Sequence, residues 1–211
     1  MRKIFLPIAI LVCALFLSSC GDNLLQDMFE MVSGNATATV NGVETEEFSS
    51  SIAMFENKKA DPVLTSLSMN IDIDVLMNLS SEGEISFPFL GYRLVGNNLT
   101  SNVTLKVDNT LTDEDMVDFD YTSLIDGKFA ENQVIGLALS KTQFYVMKTG
   151  DVKLSKVSNK KVSGSYSGTA YFIDLEADPV LAEEEVPFEG TFTSRIIPLM
   201  NWLRELQNEE K

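Results

Sequence analysis

The residues best suited to chemistry are five carboxylates between positions 113 and 120: Asp113, Glu114, Asp115, Asp118 and Asp120. Calcium takes about six to eight oxygens from such groups. The EF-hand order of acids, a glycine and a closing glutamate is missing, so a solvated acidic loop is the first expectation. A calcium site on Asp113, Asp115, Asp118 and Asp120 is the alternative. Paired carboxylates also serve glycosidases, which set two of them across one sugar. Those sites carry aromatic platforms, and the single tryptophan, Trp202, stands apart in the terminal segment. Glu183-Glu184-Glu185 reads as solvated surface. With no histidine in the chain, Ser-His-Asp and Cys-His arrangements are excluded and zinc loses its usual ligands. A carboxylate-based hydrolase is thus the minor alternative to a protein that is not an enzyme. The sequence nominates no catalytic residue and no cofactor.

One cysteine does have chemistry written around it. Arg2-Lys3 precedes an apolar stretch from Ile4 to Leu17, broken only by Pro7, and Leu17-Ser18-Ser19-Cys20 follows. This is the order of a secretory signal with a lipoprotein box: small side chains fit the peptidase and the Cys20 thiol takes the lipid. The apolar stretch is shorter than the roughly 20 residues of a spanning helix. Residues 1–19 are therefore expected to be removed and the mature chain anchored through acyl chains on Cys20, its contact with the membrane. Cys13 leaves with the leader, so no disulfide can form and the core alone must hold the fold.

The charge balance excludes one class of partner. The chain carries 31 acidic residues against 16 basic ones. Loss of Arg2 and Lys3 leaves 14 basic residues, a net charge of −17 (14 minus 31). Nucleic acid binding needs clustered Lys and Arg, so none is expected. The same excess argues against adhesion to an anionic lipid surface.

The elements follow from periodicity. Residues 20–34 form the tether: Leu24, Leu25, Met28, Phe29 and Val32 recur at helical spacing, predicting a short helix or a partly ordered linker. From residue 35 the period becomes two. Leu67, Met69, Ile71, Ile73, Val75, Met77 and Leu79 alternate with polar residues and Leu76. Val103, Leu105 and Val107 do the same, as do Val162, Gly164, Tyr166, Gly168, Ala170 and Phe172. One apolar and one wet face signals antiparallel sheet. Asn41-Gly42 marks a hairpin, because both residues tolerate positive φ. Gly91, Gly96-Asn97-Asn98, Asp126-Gly127, Gly150-Asp151 and Ser158-Asn159-Lys160 mark further turns. Strands are predicted near 36–40, 43–48, 51–55, 65–79, 84–90, 92–95, 102–108, 134–139, 143–148, 152–157, 161–174 and 187–194. Gly164 and Gly168 on an inward face predict bends or close backbone approach. At residues 195–211, Ile196, Leu199, Met200, Leu203 and Leu206 predict an amphipathic helix with Pro198 in its first turn. The expected fold is mainly β, an antiparallel β-sandwich or partly closed β-barrel over 35–194, with that C-terminal helix packed on it.

The leader, the Ala38-Thr39-Val40-Asn41-Gly42 hairpin and the run Lys161-Val162-Ser163-Gly164-Ser165-Tyr166-Ser167-Gly168-Thr169-Ala170, preceded by Gly150-Asp151-Val152-Lys153-Leu154, carry a resemblance. In these the chain resembles small all-β envelope lipoproteins of Bacteroidota, some of which are described as calycin-like or lipocalin-like barrels. The resemblance implies fold and location and supplies no functional residues; the Gly-x-Trp that opens true lipocalins is absent. Surface-exported members are expected to carry acids directly after the lipidated cysteine, whereas here Gly21-Asp22-Asn23 has one. The periplasmic face of the outer membrane is therefore expected. Two functions stay open. One is a binding module for a small hydrophobic or glycan-derived ligand; the other is an accessory lipoprotein docking another envelope protein.

Overall fold

A computed structural model of the protein describes residues 34–58, 61–70, 87–96, 99–116, 119–124 and 133–197. Ten strands lie within them: β1 (Asn35–Val40), β2 (Val43–Phe48), β3 (Ser50–Lys58), β4 (Asp61–Met69), β5 (Phe89–Val95), β6 (Val103–Asp108), β7 (Val134–Ala138), β8 (Gln143–Val157), β9 (Lys161–Asp174) and β10 (Val186–Ile197). The fold is mainly β and antiparallel, as the alternating pattern predicts, and no α-helix occurs among the described residues. Asn41 and Gly42 have φ of 50° and 75°, so the first hairpin turns as its sequence dictates.

Hydrogen-bonded neighbours run β3–β4–β5–β7–β8–β9–β10, and β10 returns to β3. That last contact is the parallel one, Arg195–Ile197 beside Ile52–Met54. Elsewhere β10 pairs with β1, which pairs with β2, while β6 pairs with the later half of β8. One end of the sheet thus forms a circuit of pairings, and the other spreads as β2-β1-β10-β9-β8-β6 with β2 and β6 at its edges.

The inward ladder between β9 and β10 explains how the sheet curves. Gly164 faces Phe192, Tyr166 faces Gly190, and Gly168 faces Phe188. The Phe192 ring lies over Gly164 and the Tyr166 ring over Gly190, so large and small residues interlock across the strands. A Cβ at Gly164 would come 2.7 Å from the Phe192 ring, and one at Gly168 1.9 Å from the Thr149 carbonyl oxygen. The close approach expected of both glycines is therefore real. Phe188 and Phe192 are buried, each contributing about 2–3 kcal/mol of hydrophobic stabilisation.

Several expectations need correction. Gly91 lies inside β5, where β4 and β7 pair with it from both sides, so 84–90 and 92–95 are not two strands about a turn. Gly150-Asp151 likewise does not turn the chain. Strand β8 runs through it, because Gly150 and Gly168 sit opposite and let two backbones close up. Arg195–Ile197, placed at the start of a helix by the apolar stripe, end β10 instead. Pairing with β3 holds them extended, and Pro198 biases the residue before it the same way. The remainder of that segment, the residues 71–79 of the long alternating run, and the leader, Cys20 and tether up to residue 33 lie outside the described residues.

Strand β4 also faces opposite to its reading. Ser66 and Ser68 are buried, whereas Leu67 and Met69 pack partly buried against a second apolar cluster. That cluster covers the other side of β5, β7 and β8 with Phe89, Val134, Phe144 and Val146, and Met116, Phe119 and Leu124 close over it. Both faces of this part of the sheet are consequently buried, which a strict inside–outside alternation does not anticipate.

Candidate functional site

Asp115 and Asp120 lie on the wet side of that cover. Two 3-10 turns, Asp113–Met116 and Tyr121–Leu124, place Met116 and Leu124 on the sheet. Asp115 is exposed and its Oδ2 accepts from the Thr112 N–H at 2.7 Å and hydroxyl at 2.8 Å. Asp120 Oδ1 accepts the Ser123 N–H at 3.2 Å. These carboxylates close local turns. Asp113 begins the first turn, Asp118 lies outside the described residues, and no group of three metal-capable side chains gathers among the described residues. Of the second acidic run, Glu185 is held: Lys148 Nζ reaches its Oε1 at 2.6 Å and the Thr169 hydroxyl donates to Oε2 at 3.0 Å. The Lys148 hydrogen bond, then that of Thr169, pulls the Glu185 carboxyl below its ordinary range.

What the sheet assembles instead is an open polar groove of about 370 Å³ on the wet face of β1, β10, β9 and β8. Strand register builds its floor in two rows. One row crosses Lys153, Ser165, Thr191 and Thr37; the next crosses Asp151, Ser167, Glu189 and Thr39. Alternation puts all eight on one face. Thr37 and Thr191 hydroxyls meet at 3.0 Å, and the Thr191 N–H donates to Thr37 Oγ1 at 3.1 Å. Asp151 pairs with Lys106 at 2.6 Å. Lys106 is 79% exposed, so this pair orients the carboxylate and adds little stability. Asp151 and Glu189 stand on strands separated by β9, about 10 Å apart at the backbone. This is the carboxylate couple that sequence spacing could not place together, since 38 positions separate the two.

Beneath the groove the inner face holds two buried tyrosines. Tyr166 lies over Gly190, and its hydroxyl donates to the Thr37 carbonyl at 3.0 Å, tying β9 to β1 across β10. Tyr92 belongs to a cluster that no sequence motif announced: Ser51, Ser66, Ser68 and Ser194, all buried at the β10–β3 junction. Oxygen separations are 2.6 Å for Ser51–Ser68, Ser51–Ser194 and Tyr92–Ser194, and 3.1 Å for Ser66–Ser194. Each hydroxyl has one proton and two lone pairs, which fixes the proton order. Ser66 donates to the Ile52 carbonyl at 2.8 Å, so Ser194 must donate to Ser66. Tyr92 and Ser51 then both donate to Ser194, and Ser68 donates to Ser51. Every proton in the cluster is used once. The only hint in sequence was the run of serines alternating with Leu67 and Met69.

Burial raises the phenol pKa of Tyr92 and of Tyr166 above the ordinary 10.0, and side-chain hydrogen bonding with Ser194 and Ser66 offsets part of the rise for Tyr92. The sign follows. Above pH 10 the unfolded chain loses these protons while the folded one keeps them, so stability present below that pH declines as pH rises. Each tyrosine adds a slope of about 1.4 kcal/mol per pH unit. Urea midpoints should fall through the alkaline range, and the double variant Tyr92→Phe, Tyr166→Phe should flatten the decline. An unchanged slope in that variant would refute the assignment.

The chain is a mainly β, antiparallel domain with an open polar groove on its wet face. Comparison with known families, curated proteins and solved structures finds no match to this chain.

Proposed function

We propose that the protein is a lipid-anchored envelope protein without catalytic activity, whose partly closed β-barrel binds a small glycan-derived ligand in the groove on its wet face. The observation that carries this reading is the groove's lining. Hydroxyls of Thr37, Thr39, Ser165, Ser167 and Thr191 offer both donors and acceptors, and Lys153, Asp151 and Glu189 add charge-assisted bonds. A sugar presents the same mixture. A hydrophobic ligand is the poorer choice, because Tyr92, Phe48, Phe188 and Phe192 occupy the interior. The groove's volume falls at the low end of the roughly 300–1,000 Å³ of ligand sites. Glu189 is exposed and the Asp151 carboxylate is already paired with Lys106, so neither is held apart from its surroundings as a catalytic acid or base would be, which favours binding over hydrolysis.

Titration of the full chain with neutral and amino-sugar disaccharides tests the proposal. Ser167→Tyr should fill the groove and lower affinity at least about tenfold, while stability changes by no more than about 0.5 kcal/mol, as for other surface substitutions. Unaltered binding in that variant would place the ligand elsewhere. The second reading, an accessory subunit, is favoured by edge strand β2, whose Val43 is 67% exposed beside Glu44. Capture of an envelope protein that Val43→Lys abolishes would establish it.

A further inference from the structure

The net charge of this chain conceals two poles. Strands β8, β9 and β10 share an end where Lys156, Lys160, Lys161 and Arg195 collect, with Lys153 one row inward. No carboxylate occurs in residues 152–173 or 190–197. The lysines are exposed, and none of them makes an ion pair among the described residues. At the opposite end the β9–β10 connection carries Glu176, Asp178, Glu183, Glu184 and Glu185. Lys161 stands directly opposite Arg195.

The basic end is also the one from which the chain enters the sheet. Strand β1 is antiparallel to β10 and begins with Asn35 opposite Thr193. Strand β1 therefore starts on the side where β10 finishes, and β3 ends and β4 begins on that side, with Lys58 and Asp61 in register. Gly34 already lies against Ser51 and Thr193.

We propose that this basic tip docks on an anionic phospholipid surface and holds the domain with its acidic end and groove directed away from the membrane. The inference rests on the lipid anchor at Cys20 for its geometry, and it qualifies the expectation drawn from net charge alone. Attraction of Lys and Arg to such a surface acts within about a Debye length, roughly 10 Å at 0.1 M salt. A local patch can therefore adhere although the whole chain is acidic.

The test is residue-resolved amine labelling of the full chain on vesicles. One set is phosphatidylcholine alone and the other equal parts phosphatidylcholine and phosphatidylglycerol. On the anionic vesicles Lys156, Lys160 and Lys161 should label at least about fivefold more slowly, the factor that one charge gains there. Lys141, at the far end, should not change, and high salt should restore the rates. Equal labelling on both vesicles would overturn the proposal. So would protection present before vesicles are added, which would mean that another partner covers the tip. An acyl mass on the Cys20 peptide in the same spectra tests the anchor separately. Acylation without protection refutes the docking alone, and protection without acylation refutes the anchor alone.

Discussion

Gly190→Val is expected to destabilise the protein by about 3 kcal/mol or more, at the upper end of what overpacking does. A Cβ at this position would lie 2.0 Å from the Thr37 carbonyl oxygen and 2.5 Å from the Tyr166 hydroxyl oxygen. Neither neighbour can yield cheaply. The carbonyl belongs to β1 and already accepts the Tyr166 hydroxyl, while the ring is packed against Phe188 with centroids 5.1 Å apart. Strand β1 would have to move off β10, taking β2 with it. Thr191→Val, one residue away on the wet face, is the control and should cost about 0.5 kcal/mol or less. Urea unfolding decides the matter: equal midpoints for the two variants would show that the tyrosine–glycine contact does not hold the sheet.

Ser194→Ala should cost about 2–4 kcal/mol, out of proportion to the loss of one small side chain. Its oxygen accepts from Tyr92 and from Ser51, so the substitution strands two buried donors at once. Tyr92→Phe removes one donor and leaves Ser194 with its other partners, so about 1 kcal/mol is expected. In the double variant the tyrosine is no longer there to be orphaned. The combined cost should therefore fall short of the sum by about 1–2 kcal/mol. Strict additivity would mean that the proton order derived from the geometry is wrong.

Legibility in the sequence tracked how local each cause was. Asn41-Gly42 specifies its turn from two residues, and β9 declares itself through a run of alternating residues. The inward glycines of β9 were readable for the same reason. Their partners, Phe188, Gly190 and Phe192, became meaningful only once β10 was set opposite. Features with distant causes were missed. Gly91 and Gly150 look like turns until flanking strands bind them on both sides. Ser66 and Ser68 look wet until Ser51, Tyr92 and Ser194 supply partners for their hydroxyls. The groove was invisible for a related reason. Its rows run perpendicular to the chain, joining residues from four strands that no window of sequence contains.

Strand β10 has a consequence for how this protein comes to be folded. It bonds to β1, β9 and β3, and Thr37 and Thr191, hydroxyl to hydroxyl, are 154 positions apart in the chain. Such contacts close the largest loops, and their entropy must be spent before any of them rewards the chain. During synthesis or threading from the N-terminal side, β1 and β3 emerge early and find their shared neighbour late. Until it arrives both present a bare edge, the state most open to wrong pairings and most in need of a chaperone. The strand that joins the two ends of the sheet thereby sets the clock for the whole domain.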